Sequence, residues 1–316
     1  MKFGIIGFGK IARKFVNSIT YSNGNEVVAI ASRSINEDDP YLLAHPNVQV
    51  YASYDELLND PSIDAVYVAI PHKYHYEWIV KALEAKKAVL SEKPAVLESE
   101  QMKHIKEVSI KNNVPFLEAL KTKMNESFIQ LQNDVSVIGK IESIDANFCF
   151  DATPIKNTET YLYDPSQGGA LNDVGSYLIG FTLKLMNEKI TSIKSEVTLE
   201  NGIDEWFLTH LTFENGCVAH LEGAINKNKE RYALIKGEKG SIMIPMFNRM
   251  IDYTITLHNG EVISKNYPIH GDDMTYQINV LQDCVNKQVL ESPLHTLDEM
   301  VELVEATEKI RASFKK

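Results

Sequence analysis

Over residues 1–120, short apolar runs alternate with stretches whose apolar residues recur every three or four positions, and this rhythm predicts strands separated by helices. Strands are expected at Lys2–Ile6, Glu26–Ala31, Ala65–Ala69, Ala88–Ser91 and Val114–Leu117. In the second run Val27, Val28 and Ile30 are nearly continuous, as expected of a strand covered on both faces. Helices are expected over Ile11–Ser18, about Tyr74–Ala85 and about Ser99–Asn112, while Ser53 with Glu56 forms a capping box that opens a short helix through Leu57 and Leu58. The pattern is that of a parallel sheet with helices on both sides.

Beyond about Leu120 the rhythm changes. Helices near Asn125–Asp134 and Gly169–Met186 stand among longer strands, with alternation at Ile193–Leu199, Glu205–Phe213, Cys217–Ala224 and Tyr253–Leu257. His258-Asn259-Gly260-Glu261 carries the signal of a tight hairpin turn before Val262-Ile263. Thr296 and Glu299 form a second capping box, opening a terminal helix to about Ser313. The fold class expected is α/β: a doubly wound parallel-sheet domain over 1–120, followed by an α+β domain over 121–316 with a mostly antiparallel sheet.

A length of 316 residues supports two cores, and a net charge of −11 leaves no basic face for nucleic acid or an anionic membrane. The acidic run Glu37-Asp38-Asp39 reads as a solvated loop rather than a metal site. Cys149, Cys217 and Cys284 have no ligand spacing, so reduced thiols in a cytoplasmic protein are expected, with no metal. No apolar run approaches the ~18 to 20 residues that cross a bilayer.

Gly7-Phe8-Gly9-Lys10-Ile11-Ala12 fits G-x-G-x-x-G/A between an expected strand and an expected helix, the setting this motif requires. Gly7 permits the turn, Gly9 lets backbone approach a pyrophosphate, and the phosphates would rest on the amino end of the helix carrying Lys10 and Ile11. The second strand ends in Ser32-Arg33-Ser34, with no acid to take a ribose 2′-hydroxyl and with an arginine to pair with a 2′-phosphate, so NADP is favoured over NAD. The next two strand ends carry Ile70-Pro71-His72-Lys73-Tyr74-His75 and Glu92-Lys93-Pro94. Ile70, Pro71, His72, Glu92 and Lys93 are candidate cofactor contacts. Two readings stand for His75: a contact on the nicotinamide side, or a cap for the following helix. Lys93 ends a buried strand where such sheets bind ligands, and Pro94 stops that strand.

These segments resemble the Gfo/Idh/MocA family: Gly7-x-Gly9-x-x-Ala12, the stretch Asp64–Pro71 with His75, Val89–Pro94, and Gly168-Gly169-Ala170-Leu171-x-Asp173-x-Gly175-x-Tyr177. The resemblance implies a Rossmann NAD(P)-binding domain over 1–120 followed by an α+β domain over 121–316 with an open, mostly antiparallel sheet used for homodimer or homotetramer contacts, and catalytic roles for Lys93, Asp173 and Tyr177. Tyr177, where inositol-type members carry histidine, looks like the branch of glucose-fructose oxidoreductase, xylose dehydrogenase and dihydrodiol dehydrogenase. Lys123, His72 and Gln167 depart from the family's usual arginine, asparagine and glycine.

The expected chemistry is hydride transfer between NAD(P) and a secondary alcohol or ketone of a sugar, polyol or diol. A tyrosine with an ordinary pKa near ~10 needs a neighbouring cation to serve as a base, which assigns proton transfer to Tyr177, support to Lys93 and orientation to Asp173. In a second version Lys93 itself moves the proton. A nicotinamide-dependent glycosidase and a non-catalytic cofactor sensor are the rival classes, and the presence of all three residues weighs against a sensor. Phe148, Phe150, Tyr161 and Tyr163 read equally as pocket wall or core.

Overall fold

A computed structural model describes residues 1–36 and 38–314, which form two compact units. The first comprises Met1–Lys121 together with His270–Val301, the second Thr122–Ile269 together with Glu302–Lys316. This differs from a single division after residue 120.

In the first unit the chain runs β1 (Lys2–Ile6), α1 (Lys10–Ser18), β2 (Glu26–Ala31), α2 (Pro40–Ala44), β3 (Gln49–Tyr51), α3 (Tyr54–Asn59), β4 (Ala65–Val68), α4 (His75–Glu84), β5 (Ala88–Ser91), α5 (Ser99–Asn112) and β6 (Phe116–Glu118). The strands form one parallel sheet in the order β3-β2-β1-β4-β5-β6, the doubly wound arrangement whose ligand crevice opens at the carboxyl ends of β1 and β4. β4 and β5 are buried at every position, which accounts for their unbroken apolar sequence. The expected capping box opens α3: Ser53 Oγ accepts the Glu56 N–H at 3.2 Å, and Glu56 reaches back to the Ala52 N–H.

Asp39, expected in a solvated loop, is instead buried. It accepts the Tyr41 N–H at 3.0 Å as the cap of α2 and pairs with Arg13 on α1, whose guanidinium holds the carboxyl below its usual range. Glu37 of that run lies outside the described residues.

The chain re-enters this unit through α8 (Thr275–Lys287), whose Ile278, Leu281 and Cys284 are buried and which packs near β5. A buried carboxylate, Asp273, fastens the return, pairing with Lys14 at 2.7 Å and with Lys121. The two ammonium groups hold its carboxyl far below the usual range despite burial.

The second unit begins with α6 (Glu126–Asp134) and β7 (Ile141–Cys149), followed by α7 (Ser176–Met186). Then come β8 (Ile190–Glu200), β9 (Ile203–Phe213), β10 (Val218–Ala224), β11 (Tyr232–Gly237), β12 (Gly240–Pro245), β13 (Asp252–Leu257) and β14 (Val262–Asn266). The sheet order is β14-β13-β12-β11-β7-β10-β9-β8, and only the β7/β10 pair is parallel. The Asn259-Gly260 turn joins β13 to β14, with Gly260 at φ +90°.

α7 packs on β7 and β10, leaving the opposite sheet face with alternate half-exposed residues such as Trp206, Leu208, His210 and Thr212 on β9. The terminal helix α9 (Leu297–Ser313) starts at the expected Thr296 cap, and its end is held by Arg311 donating to Asn172 Oδ1 at 2.6 Å.

Candidate active site

Gly7 has φ +87°, and a Cβ there would lie 2.5 Å from the Ala69 carbonyl oxygen at the end of β4. The turn after β1 therefore tolerates only glycine. Gly9 contrasts with it, because a Cβ built on Gly9 meets nothing within 4 Å. It is the N-cap of α1 without any side-chain cap, so the first-turn N–H groups of that helix face an unfilled cradle. Ala12 is buried where a larger residue would part helix and sheet. These features fit a dinucleotide pyrophosphate.

Lys10 and Ile11 are exposed beside the cradle, whereas the Phe8 ring is buried against Tyr41 and under Arg13, leaving only its backbone at the turn. Arg33 is exposed at the end of β2, and Ser32 and Ser34 hydroxyls lie 3.1 Å apart beside it.

The turn after β5 is fixed from three sides. Tyr67 on β4 donates to Glu92 at 2.5 Å; His75 Nδ1 lies 3.0 Å from the Pro94 carbonyl oxygen; and Glu118 at the end of β6 accepts the Ala95 N–H at 2.8 Å. The other Glu118 oxygen meets His295 Nε2 at 3.0 Å. Lys93, half-buried, stands in this braced turn, and its peptide bond to Pro94 is cis. Burial pushes the Glu92 carboxyl above its usual range against the opposing pull of Tyr67 and Lys93.

His75 departs from both of its expected roles. It is the first residue of α4, it is 0% exposed, and its Nε2 lies 2.7 Å from the Ile70 carbonyl oxygen. A ring sealed in this way braces the strand ends from beneath and presents no surface to a cofactor. His72 is also buried, its ring 5.5 Å from that of His75, while Pro71 is exposed and Ile70 half-buried at the surface of the same loop.

In the second unit, Gly168-Gly169 makes the close approach on which α7 depends. A Cβ on Gly168 would stand 2.2 Å from the Leu162 carbonyl oxygen, and one on Gly169 would strike the Asp204 carboxylate. Asp204 accepts the Leu171 N–H at 2.6 Å, and burial pushes its carboxyl up to about 6.

The expected single helix over Gly169–Met186 is divided into a π-helical turn, Leu171–Gly175, and α7; such widened turns recur at functional sites. Asp173 and Tyr177 are half-exposed, with buried Val174, Gly175 and Ser176 between them, so both side chains emerge on one face. Tyr161 donates to Asp173 Oδ1 at 3.3 Å, and the Tyr177 ring lies 5.5 Å from that of Phe148. The aromatic segment thus splits between roles: Phe148 is buried, whereas Tyr161 is exposed and reaches Asp173.

Of the departures from the family pattern, Lys123 is buried, and Gln167 donates to Asp164 at 2.6 Å, fixing the turn before Gly168.

Two groups near these sites carried no motif. Glu118 was not singled out, although a charged residue directly after the apolar run Val114–Leu117 is a signal that could have marked a buried bracing carboxylate. Arg231, whose guanidinium lies 4.0 Å over the Phe148 ring, follows a loop of ordinary lysines and glutamates and gave no signal. Among the described residues, no group of three or more His, Cys, Asp or Glu is arranged to hold a metal ion, and no helix is long and apolar enough to cross a membrane. The three cysteines are buried thiols held protonated by desolvation, each pushed up to about 11.

A parallel sheet in this order, with a glycine cradle at its switch point, defines a nucleotide-binding oxidoreductase fold. The chain belongs to the Gfo/Idh/MocA oxidoreductase family: residues 1–119 match the family described as "Oxidoreductase family, NAD-binding Rossmann fold", and residues 134–243 match its C-terminal domain. It is similar to the trans-1,2-dihydrobenzene-1,2-diol dehydrogenase of Xenopus laevis, 30% identical over 310 residues, covering 94% of this chain and 92% of the relative. An uncharacterized oxidoreductase of Rhizobium meliloti is 34% identical over 230 residues, 70% of this chain and 67% of its own.

Among solved structures, the 3-ketoreductase KijD10 of Actinomadura kijaniata, in complex with NADP and TDP-benzene, superposes with a TM-score of 0.87 at 22% identity, covering 100% of this chain and 98% of its own. The aldose-aldose oxidoreductase of Caulobacter crescentus, complexed with glycerol, gives 0.87 at 17% identity, with 99% and 97% covered. Both show the fold.

Proposed function

We propose that this protein is an NADP-preferring oxidoreductase moving a hydride between the nicotinamide and a secondary alcohol or ketone of a sugar, polyol or diol. The observation that carries the reading is the open cradle at Gly9, in a chain that also presents a braced lysine and an aspartate-tyrosine pair on one helical face. The exposed Arg33, flanked by serines and without an acid beside it at the end of β2, supports the 2′-phosphate of NADP. The diol dehydrogenase relatives and the NADP-bound ketoreductase support the same substrate chemistry and cofactor.

Bound at the cradle, the cofactor would supply the hydride acceptor or donor. Lys93 would bind the reacting oxygen and stabilise negative charge on it, Tyr177 would take or return the hydroxyl proton, and Asp173 would orient the substrate. The Glu118, His75 and Tyr67 contacts would serve this by fixing the Lys93 backbone.

On this reading residues 1–120 carry the cofactor, and the second unit, within 121–316, carries the substrate and subunit contacts. The half-exposed Trp206, Leu208 and Leu234 on one face of the second sheet support its use as a homodimer or homotetramer interface, and the buried, protonated cysteines support a cytoplasmic setting.

The test is a thermal-shift comparison of NADP with NAD, followed by a screen of sugars, polyols and diols for reduced-nicotinamide absorbance at saturating cofactor. A larger shift with NADP and net reduction by a polyol or diol are expected. A preference for NAD would refute the assignment to Arg33, and release of a leaving group without net reduction would identify a glycosidase.

A further inference from the structure

The loop between β10 and β11 carries three cations whose fates differ. Lys227 and Lys229 both pair with Glu222, at 3.0 and 2.6 Å, and Lys227 also lies 4.7 Å over the Trp206 ring. Arg231 takes no part in this network. It is half-buried, stacks 4.0 Å over Phe148, and makes no ion pair or side-chain hydrogen bond with a protein group among the described residues. Phe148 in turn lies 5.5 Å from Tyr177, so the guanidinium is linked through one buried ring to the face that bears Tyr177 and Asp173.

A guanidinium presents donors in a planar fork suited to two oxygens of a carboxylate or phosphoryl group, and stacking on an aromatic ring presets its plane. Desolvation works against its charge, and a second cation, Arg249, adds to the penalty, so the position is costly while no anion is present. The Asp173 carboxylate offsets part of this cost. An anionic ligand would offset more.

We propose that Arg231 is a specificity-determining residue that binds a carboxylate or phosphoryl group on the substrate, so that the preferred substrates are acidic sugars, sugar phosphates or nucleotide sugars rather than neutral polyols. Phe148 is the platform that orients it. The inference rests on the oxidoreductase reading for the identity of the ligand as a substrate; the anion site itself does not.

The experiment pairs ligands that differ only in charge: gluconate with glucitol, and glucose 6-phosphate with glucose, with UDP-glucose as a third anionic arm. Binding is read by thermal shift with NADP present, and turnover by nicotinamide absorbance, in the native protein and in Arg231→Gln and Arg231→Lys. An anionic member should bind at least tenfold more tightly than its neutral partner, and Arg231→Gln should lower that ratio tenfold or more, with partial recovery in Arg231→Lys. The anionic arm that responds identifies the group. Arg231 lies in the second unit, so circular dichroism and the melting temperature without ligand report whether the variants keep an intact fold.

Tighter binding of the neutral member in every pair, or a charge ratio that Arg231→Gln leaves unaltered, would overturn the proposal. Anion-selective binding that Arg231→Gln abolishes, without turnover of any ligand, would instead refute the redox reading and leave the anion site standing.

Discussion

His75 Nδ1 lies 3.0 Å from the carbonyl oxygen of Pro94, the residue after Lys93, while its other ring nitrogen faces the carbonyl oxygen of Ile70. A single buried imidazole thereby joins the ends of β4 and β5. The neutral ring carries one N–H, so replacing it by alanine would strip one carbonyl oxygen of its donor in the interior, which costs about 1–3 kcal/mol. His75→Ala should lower the melting temperature and cut kcat tenfold or more, with a much smaller effect on the NADP dissociation constant.

The same histidine gives a pH signature. Burial holds its pKa below the ordinary 6.5, so the unfolded chain binds a proton there more readily than the folded one. Its contribution to stability is complete above pH 6.5 and is lost as pH falls below that value. Denaturant titrations across this window should show a steeper acid-side loss in the native protein than in His75→Ala; parallel curves would remove His75 from the account.

Asp204 works in the opposite direction. Its carboxyl is raised from 3.8 to about 6, so the folded protein holds this proton more tightly; the associated stability is complete below pH 3.8 and declines as pH rises through about 6. Asparagine preserves an acceptor for the Leu171 N–H and removes the titration. Asp204→Asn should therefore gain on the native protein between acid and neutral pH, by up to ~3 kcal/mol on the scale of 1.36 kcal/mol per pKa unit. Chemical denaturation at both ends of that range measures the difference.

The two glycines of the first turn separate folding from binding. Gly7→Ala forces a side chain onto the Ala69 carbonyl oxygen at a positive φ, and a loss of roughly 2 kcal/mol or more is expected. Gly9→Val points into open space with φ −83°, so the melting temperature should change little while the NADP dissociation constant rises at least tenfold. Calorimetric unfolding together with cofactor titration of the two variants checks the contrast.

Much of this molecule was legible before its structure. The first sheet could be read because buried parallel strands are unbroken apolar runs, and Ser53 and Thr296 accept the expected N–H groups of Glu56 and Glu299. α2 and β3 were missed because they are short and mostly exposed, with no apolar period to detect. α8 was missed although Ile278, Leu281 and Cys284 recur at helical spacing, and with it went the return of the chain to the first unit. In the site, glycine spacing revealed the cradle, but sequence order could not show that His75 is sealed between the Ile70 and Pro94 carbonyl oxygens. Arg231 was invisible because its significance comes from Phe148, which the β7–β11 pairing brings near from a distant part of the chain.

The central claim is that Lys93, in its braced turn, serves hydride transfer rather than cofactor binding. It is tested most directly by measuring NADP-dependent turnover of whichever sugar, polyol or diol proves active, and NADP affinity, in Lys93→Met. The account predicts that turnover falls by at least about a thousandfold, on the scale of ~4 kcal/mol at the barrier, while NADP affinity stays within a few-fold. Turnover within tenfold of the native rate would contradict it.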